Sequence, residues 1–213
     1  PSQSSAASDV YKRQVPIEGE ETRAIQELTR EWVLEQDIKN FYDQQGICHV
    51  VLPERGHLSP GMFCVGGDSH SPTGGAFGAY MFGIGATEMA GVLATGKIWI
   101  KVPETILIKW AGQTDAFVTA KDMMLATCAK IGMGGGRYQA IQYAGEAIHK
   151  LNMQERMTMS NMAAELGAQA GLISPDETTI EYLKSVNSSI LDNWQNYQIE
   201  KPDLNGEVIN LDA

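Results

Sequence analysis

The sequence predicts an α/β protein, and two stretches carry that reading. In the first, the apolar run Met62-Phe63-Cys64-Val65 ends in Gly66-Gly67. Asp68, Ser69 and His70 follow, and then a turn containing Pro72. This is the pattern of a buried strand that stops, turns sharply on glycine and projects three chemically capable side chains. Open α/β sheets bind their ligands just beyond the carboxyl ends of strands, and these three residues stand at that position. In the second, Ala140 to Leu151 passes from a strand-like run into a helix-like one. At 213 residues the chain is one large domain or two small ones, enough for a sizeable core.

Taken in order, residues 1–14 are small and polar without periodicity, and read as a disordered tail or sequence scar. Glu20 to Gln45 is charged, with Ile25, Leu28, Trp32 and Val33 at helical spacing, and Gly46 stops the helix. Ile47 to Leu52, closed by Pro53, reads as a buried strand that carries His49. Pro60-Gly61 leads into the strand Met62 to Val65. Ala76 to Leu93 is rich in Gly and Ala, with a helix from Thr87 to Ala94. Lys97–Val102 and Thr105–Trp110 alternate apolar and polar residues on either side of Pro103-Glu104, which suggests an antiparallel pair. Thr119 to Ile131 is a helix capped by Thr119 with Asp122 at its third position. Gly132–Gly136 breaks the chain. After the unit at Ala140–Leu151, further helices are expected at Ser160–Ala170 and from Ser174-Pro175-Asp176-Glu177 to about Val186. Beyond Ser188 the pattern weakens, so the expected division is a tail (1–14), an α/β region (15–186) and a linker (187–213).

The formal net charge of −10 argues against nucleic acid and anionic membrane surfaces as main partners. No apolar stretch reaches membrane-spanning length and no secretory signal is visible, so the expected setting is cytoplasmic. Cys48, Cys64 and Cys128 are far apart, show no C-x-x-C spacing and read as buried thiols rather than metal ligands.

An Asp-x-His pair on a loop can bind a metal or move protons, because imidazole titrates near neutral pH and a neighbouring carboxylate fixes its tautomer. The blander alternative is a turn whose Asp68 and Ser69 bond the local backbone. Ser69 lacks the Gly-x-Ser-x-Gly setting of a nucleophile. His49, on a strand next to Met62–Val65, could meet Asp68. Asn161 and Glu165 are four apart and share one helix face, among apolar neighbours that suggest burial. A buried carboxylate needs a partner, and His70 could be it. His57 and His149 have no such surroundings, and His149 reads as solvated. Neither glycine run carries a nucleotide fingerprint.

Taken together, Gly46-Ile47-Cys48-His49, Pro60-Gly61-Met62, Gly67-Asp68-Ser69-His70, Gly74-Gly75-Ala76-Phe77-Gly78, Phe82-Gly83-Ile84-Gly85-Ala86-Thr87-Glu88 and Val92-Leu93-Ala94-Thr95 resemble the aconitase superfamily. Tyr143-Ala144-Gly145-Glu146-Ala147-Ile148, Ser160-Asn161-Met162 and Gly171 to Thr179 agree. The nearest branch resembles the large subunits of 3-isopropylmalate dehydratases. The loop Ser71–Gly75 is similar to the aconitase version, so aconitase, homoaconitase and 2,3-dimethylmalate dehydratase types stay open.

The resemblance implies a three-layer αβα fold and reversible dehydration of small hydroxy-di- or tricarboxylic acids. It also implies a [4Fe–4S] cluster acting as Lewis acid, and a separate small, swivelling-domain subunit. By the same resemblance His49 pairs with Asp68 and His70 with Glu165, Ser69 bonds a substrate carboxylate, and Asn161 neighbours the cluster. The family's cluster cysteines and its Asp-His-Asn motif are absent here, and Gln142 replaces a usual glutamate. The expectation is therefore a fragment that by itself neither holds the cluster nor turns over substrate. Two rival functions stand beside it: a mononuclear metal-binding module built on His49, Asp68 and His70, and an RNA-binding interaction protein, which the acidic balance disfavours.

Overall fold

A computed structural model describes residues 19–186, 193–198 and 206–213; the tail expected at 1–14 lies outside them. Helix α1 (Glu20–Glu35) buries only Val33 of its expected apolar face, and it ends well before Gly46. Asp37 takes a left-handed conformation just after it (φ 50°), and the chain folds back. Asp43 then accepts hydrogen bonds from Gln26 and Arg30 on the helix. The stop is therefore set by a turn that the apolar spacing does not reveal.

The expected strand at 47–52 is a helix, α2 (Cys48–Glu54). A strand would bury every second side chain. Here Cys48 and Val51, three apart, are buried, and Val50 faces solvent. In so short an apolar run, periodicity does not separate the two structures.

Strand β1 (Phe63–Gly66) pairs in parallel with β2 (Tyr80–Gly83), from Phe63 opposite Tyr80 to Gly66 opposite Gly83. Between them lies a buried 3₁₀ segment, Ser71–Phe77, and after them α3 (Ala86–Thr95). The Gly-rich composition of this stretch concealed β2. Gly75 is required by contact: a Cβ there would fall 1.8 Å from the Gly171 carbonyl oxygen.

Residues 97–104 belong to no regular element, so the expected antiparallel pair does not form. Instead β3 (Thr105–Ala111) lies between β4 (Ala140–Ala144) and β6 (Val208–Asp212), parallel to both. With β5 (Ala170–Ile173) the sheet runs β5-β4-β3-β6, all parallel, which is the architecture of an α/β protein. Both neighbours of β3 come from later in the chain, and β6 sits in the stretch expected to be a linker.

Helix α4 (Ala120–Ile131) has its full capping box, Thr119 with Asp122. Helices α5 (Glu146–Lys150) and α6 (Met153–Asn161) follow β4. The helix expected over Ser160–Ala170 begins earlier, capped by Asn152 and Glu155, and continues as a 3₁₀ turn, Met162–Leu166. Gly167 at φ 68° ends it, and Ala170 already belongs to β5. Helix α7 (Glu177–Ser185) is capped by Asp176.

One sheet face, made by Ile106, Ile108, Trp110, Ile141, Tyr143 and Ile173, packs in a single cluster against α4, α5, α6 and the 3₁₀ turn after it. A second cluster joins Phe77 and Met81 to Met153 of α6 and to Ile180 and Leu183 of α7. Among the described residues no helix is long and apolar enough to cross a membrane.

Candidate functional site

Strand β1 stops at Gly66 and delivers Asp68 into a buried turn. The end of β2 lies directly against it: a Cβ on Gly83 would come within 2.5 Å of the Asp68 carbonyl oxygen. Oδ1 of Asp68 accepts the His70 backbone N–H at 2.6 Å, so the local-turn reading of this residue holds as far as it goes. The same oxygen is 3.7 Å from Nδ1 of His49 and 3.7 Å from Nδ1 of His70. One carboxylate, its side chain 4% exposed, thus lies between two imidazoles.

His49 reaches it from the first turn of α2 rather than from a strand, and the helix brings it to the place the strand reading required. Its side chain is 11% exposed, against 34% for His70. The two rings are 6.2 Å apart, centroid to centroid. On its far side, Nε2 of His70 lies 3.3 Å from Oε1 of Glu165, in the 3₁₀ turn after α6. Ser69 Oγ is 3.1 Å from Nδ1 of His70, and Ser69 itself is exposed. The result is a continuous row of His49, Asp68, His70 and Glu165, buried at one end and open to solvent at the other.

Asn161 closes α6, and Glu165 belongs to the following turn, so the two do not share a regular helix face. Asn161 nevertheless points toward the row: its Nδ2 donates to Thr73 Oγ1 at 2.9 Å, and Thr73 Oγ1 donates to the His70 carbonyl at 2.6 Å. Thr73 was missed in the sequence reading, which treated Ser71–Gly75 only as a loop. Its signal there was slight, a buried hydroxyl three residues after His70. His57 bonds Tyr42 Oη through Nε2, and His149 lies beside Asp176.

The cysteines do not fit an iron–sulfur cluster. Cys48 is buried and Cys64 and Cys128 are half-buried, all as free thiols. Burial pushes the Cys64 thiol up, and burial and the charge of Glu165 push up that of Cys128, so both are held away from the thiolate form that ligates iron. Among the described residues no group of three His, Cys, Asp or Glu side chains could hold a metal ion. His49, Asp68 and His70 therefore do not make the mononuclear site considered above.

The profile of the aconitase family (aconitate hydratase) matches residues 2–204. A 3-isopropylmalate dehydratase large subunit 1 from Methanopyrus kandleri is 46% identical over 176 residues, which is 82% of this chain and 42% of that protein. A probable methanogen homoaconitase large subunit from Methanosarcina mazei is 48% identical over 171 residues, 80% of this chain and 44% of its own length. The same organism's probable 3-isopropylmalate dehydratase large subunit is 45% identical over 175 residues, 82% and 42%. The chain spans less than half the length of each of these relatives.

Proposed function

The chain belongs to the aconitase family, and on that footing we propose that it forms part of the large subunit of a hydro-lyase. The reaction is the reversible dehydration and rehydration of a small hydroxy-dicarboxylic acid. Its substrate is 3-isopropylmalate, isomerised to 2-isopropylmalate in leucine biosynthesis. The observation that carries this reading is the row of His49, Asp68, His70 and Glu165, in which two imidazoles alternate with two carboxylates.

Dehydration removes a proton from the carbon next to a carboxylate and gives a proton to the departing hydroxyl; rehydration at the neighbouring carbon runs the transfers backwards. Both need groups that hold a proton near neutral pH, which is the range of imidazole. In this assignment the Asp68 carboxylate orients His49, and Glu165 orients His70. His70 is the more exposed ring and stands beside Ser69, whose hydroxyl donates to a substrate carboxylate. Asn161 braces the turn that carries His70. Family members generally bind a [4Fe–4S] cluster. Its thiolates, like a separate small subunit, are assigned to polypeptide beyond this stretch.

A homoaconitase-type substrate is the second reading. One observation favours it: of the two Methanosarcina mazei relatives, the homoaconitase subunit is the more similar, at 48% against 45%. Assay of the complete large and small subunits with both hydroxy acids separates the two. His70→Ala in that complete enzyme is expected to lower turnover about 10²- to 10⁴-fold with cluster content unchanged. Unchanged turnover overturns the assignment.

A further inference from the structure

We propose that Thr73 is a positioning residue that fixes the side-chain amide of Asn161 in one orientation and so clasps α6 to the turn carrying His70. The inference rests on the row of residues assigned above and adds a member that does not touch substrate. Thr73 is buried in the 3₁₀ segment. A hydroxyl has a single proton to give. That of Thr73 goes to the His70 carbonyl at 2.6 Å, and a carbonyl oxygen can only accept. Thr73 Oγ1 is left with acceptor capacity alone toward Asn161, so the amide must present its N–H, at 2.9 Å.

Turning the amide over would set Asn161 Oδ1 against an oxygen with no proton left. Two acceptors would then meet at hydrogen-bond distance beside the buried Thr73 hydroxyl, which costs about as much as an unmade hydrogen bond. One hydroxyl thus dictates which atom of Asn161 faces which way. Thr73 N–H also donates to the His70 carbonyl, at 3.1 Å, so the His70 peptide is held twice by the same residue. The clasp acts on the backbone of His70, and Glu165, four residues after Asn161, acts on its ring. Both holds originate on the end of α6 and the turn that continues it.

The test uses the side-chain amide protons of Asn161, read by NMR in this chain. In the wild type, one of them is expected to be shifted and protected from exchange with deuterated solvent. Thr73→Val keeps the shape and removes the hydroxyl, and should bring that proton to the exchange rate of an exposed amide, at least about tenfold faster. Thr73→Ser keeps the hydroxyl and should retain the protection. Should Thr73→Val not fold, Thr73→Ala removes the same hydroxyl without adding a methyl group beside a carbonyl. Protection that survives loss of the hydroxyl in a folded variant overturns the proposal, as does its loss in Thr73→Ser. The readout needs no turnover, so failure here is distinguishable from failure of the proposed reaction.

Discussion

Asp68 and Asp176 invite comparison because their surroundings begin alike. Each accepts a backbone N–H a few residues ahead, from His70 at 2.6 Å and from Thr179 at 3.2 Å. Each has an imidazole Nδ1 at 3.7 Å, His49 for Asp68 and His149 for Asp176. They part at the next neighbour. Asp176 is gripped by Arg156, whose side chain is fully buried and donates to Oδ1 at 2.6 Å and to Oδ2 at 2.8 Å. Burial raises the Asp176 carboxyl, but the hydrogen bonds and charge of Arg156 together outweigh it and hold the group below the usual carboxylate range. Arginine does not give up its proton, so the guanidinium keeps its charge and the pair serves to join α6 to α7. Asp68 has a second imidazole in place of the guanidinium, so its partners can gain and lose protons. The same side chain is structural where its partner is fixed in charge and, in the proposed assignment, serves catalysis where its partners are imidazoles.

Asp68→Asn should have the largest effect and should fall on turnover. The amide can still accept the His70 N–H but cannot stabilise a charged imidazole. The expected loss in the complete enzyme is about 10²- to 10⁴-fold, with the urea midpoint nearly unmoved. Steady-state kinetics and urea melts on one preparation check both halves. A large fall in stability with little loss of turnover would show that Asp68 is another Asp176.

Asp176→Asn should do the reverse. It keeps the α7 cap and strands the buried Arg156 charge, costing roughly 3–5 kcal/mol of folding stability, measured by urea unfolding. It also carries a pH signature. The folded carboxyl titrates below its unfolded value of about 4, so between the two the unfolded chain binds more protons. Stability from this pair is complete above that unfolded value and is lost as pH falls through the folded one. Acid melts of the Asn variant should therefore be flatter over that interval than those of the wild type, and equal slopes would contradict the pairing.

The contacts of this site were more legible than the elements that make them. His49 meeting Asp68, and His70 meeting Glu165, were both anticipated from residue types, although Glu165, expected to be buried, is exposed. The element under His49 was not, because a short apolar run fits a strand or a helix equally well. The neighbours of β3 were hidden for another reason. Parallel partners lie far along the chain and leave no local mark, and β6 carries a weak pattern because its side chains alternate between exposed and half-buried. Local chemistry was readable in places: Thr119 with Asp122 caps α4 as expected and α7 starts within the expected Ser174–Glu177, capped by Asp176, whereas the Asn152 and Glu155 cap of α6 was missed. Thr73 escaped because nothing in its own identity shows that its one proton is already committed.

The smallest effect belongs to His149→Ala, and it tests the comparison where the two sites look most alike. His149 stands as far from Asp176 as His49 does from Asp68, yet its side chain is 69% exposed and His49 only 11%. Water and salt screen the exposed contact, and Arg156 already satisfies the carboxylate it faces. Removing the ring should change unfolding free energy by no more than about 0.5 kcal/mol, within the range of ordinary surface substitutions. A loss above about 1 kcal/mol in urea unfolding, fading in high salt, would mean that Asp176 depends on its imidazole too. Equal distance to a histidine would then mark a shared design, and the contrast between fixed and titrating partners would fail at its simplest point.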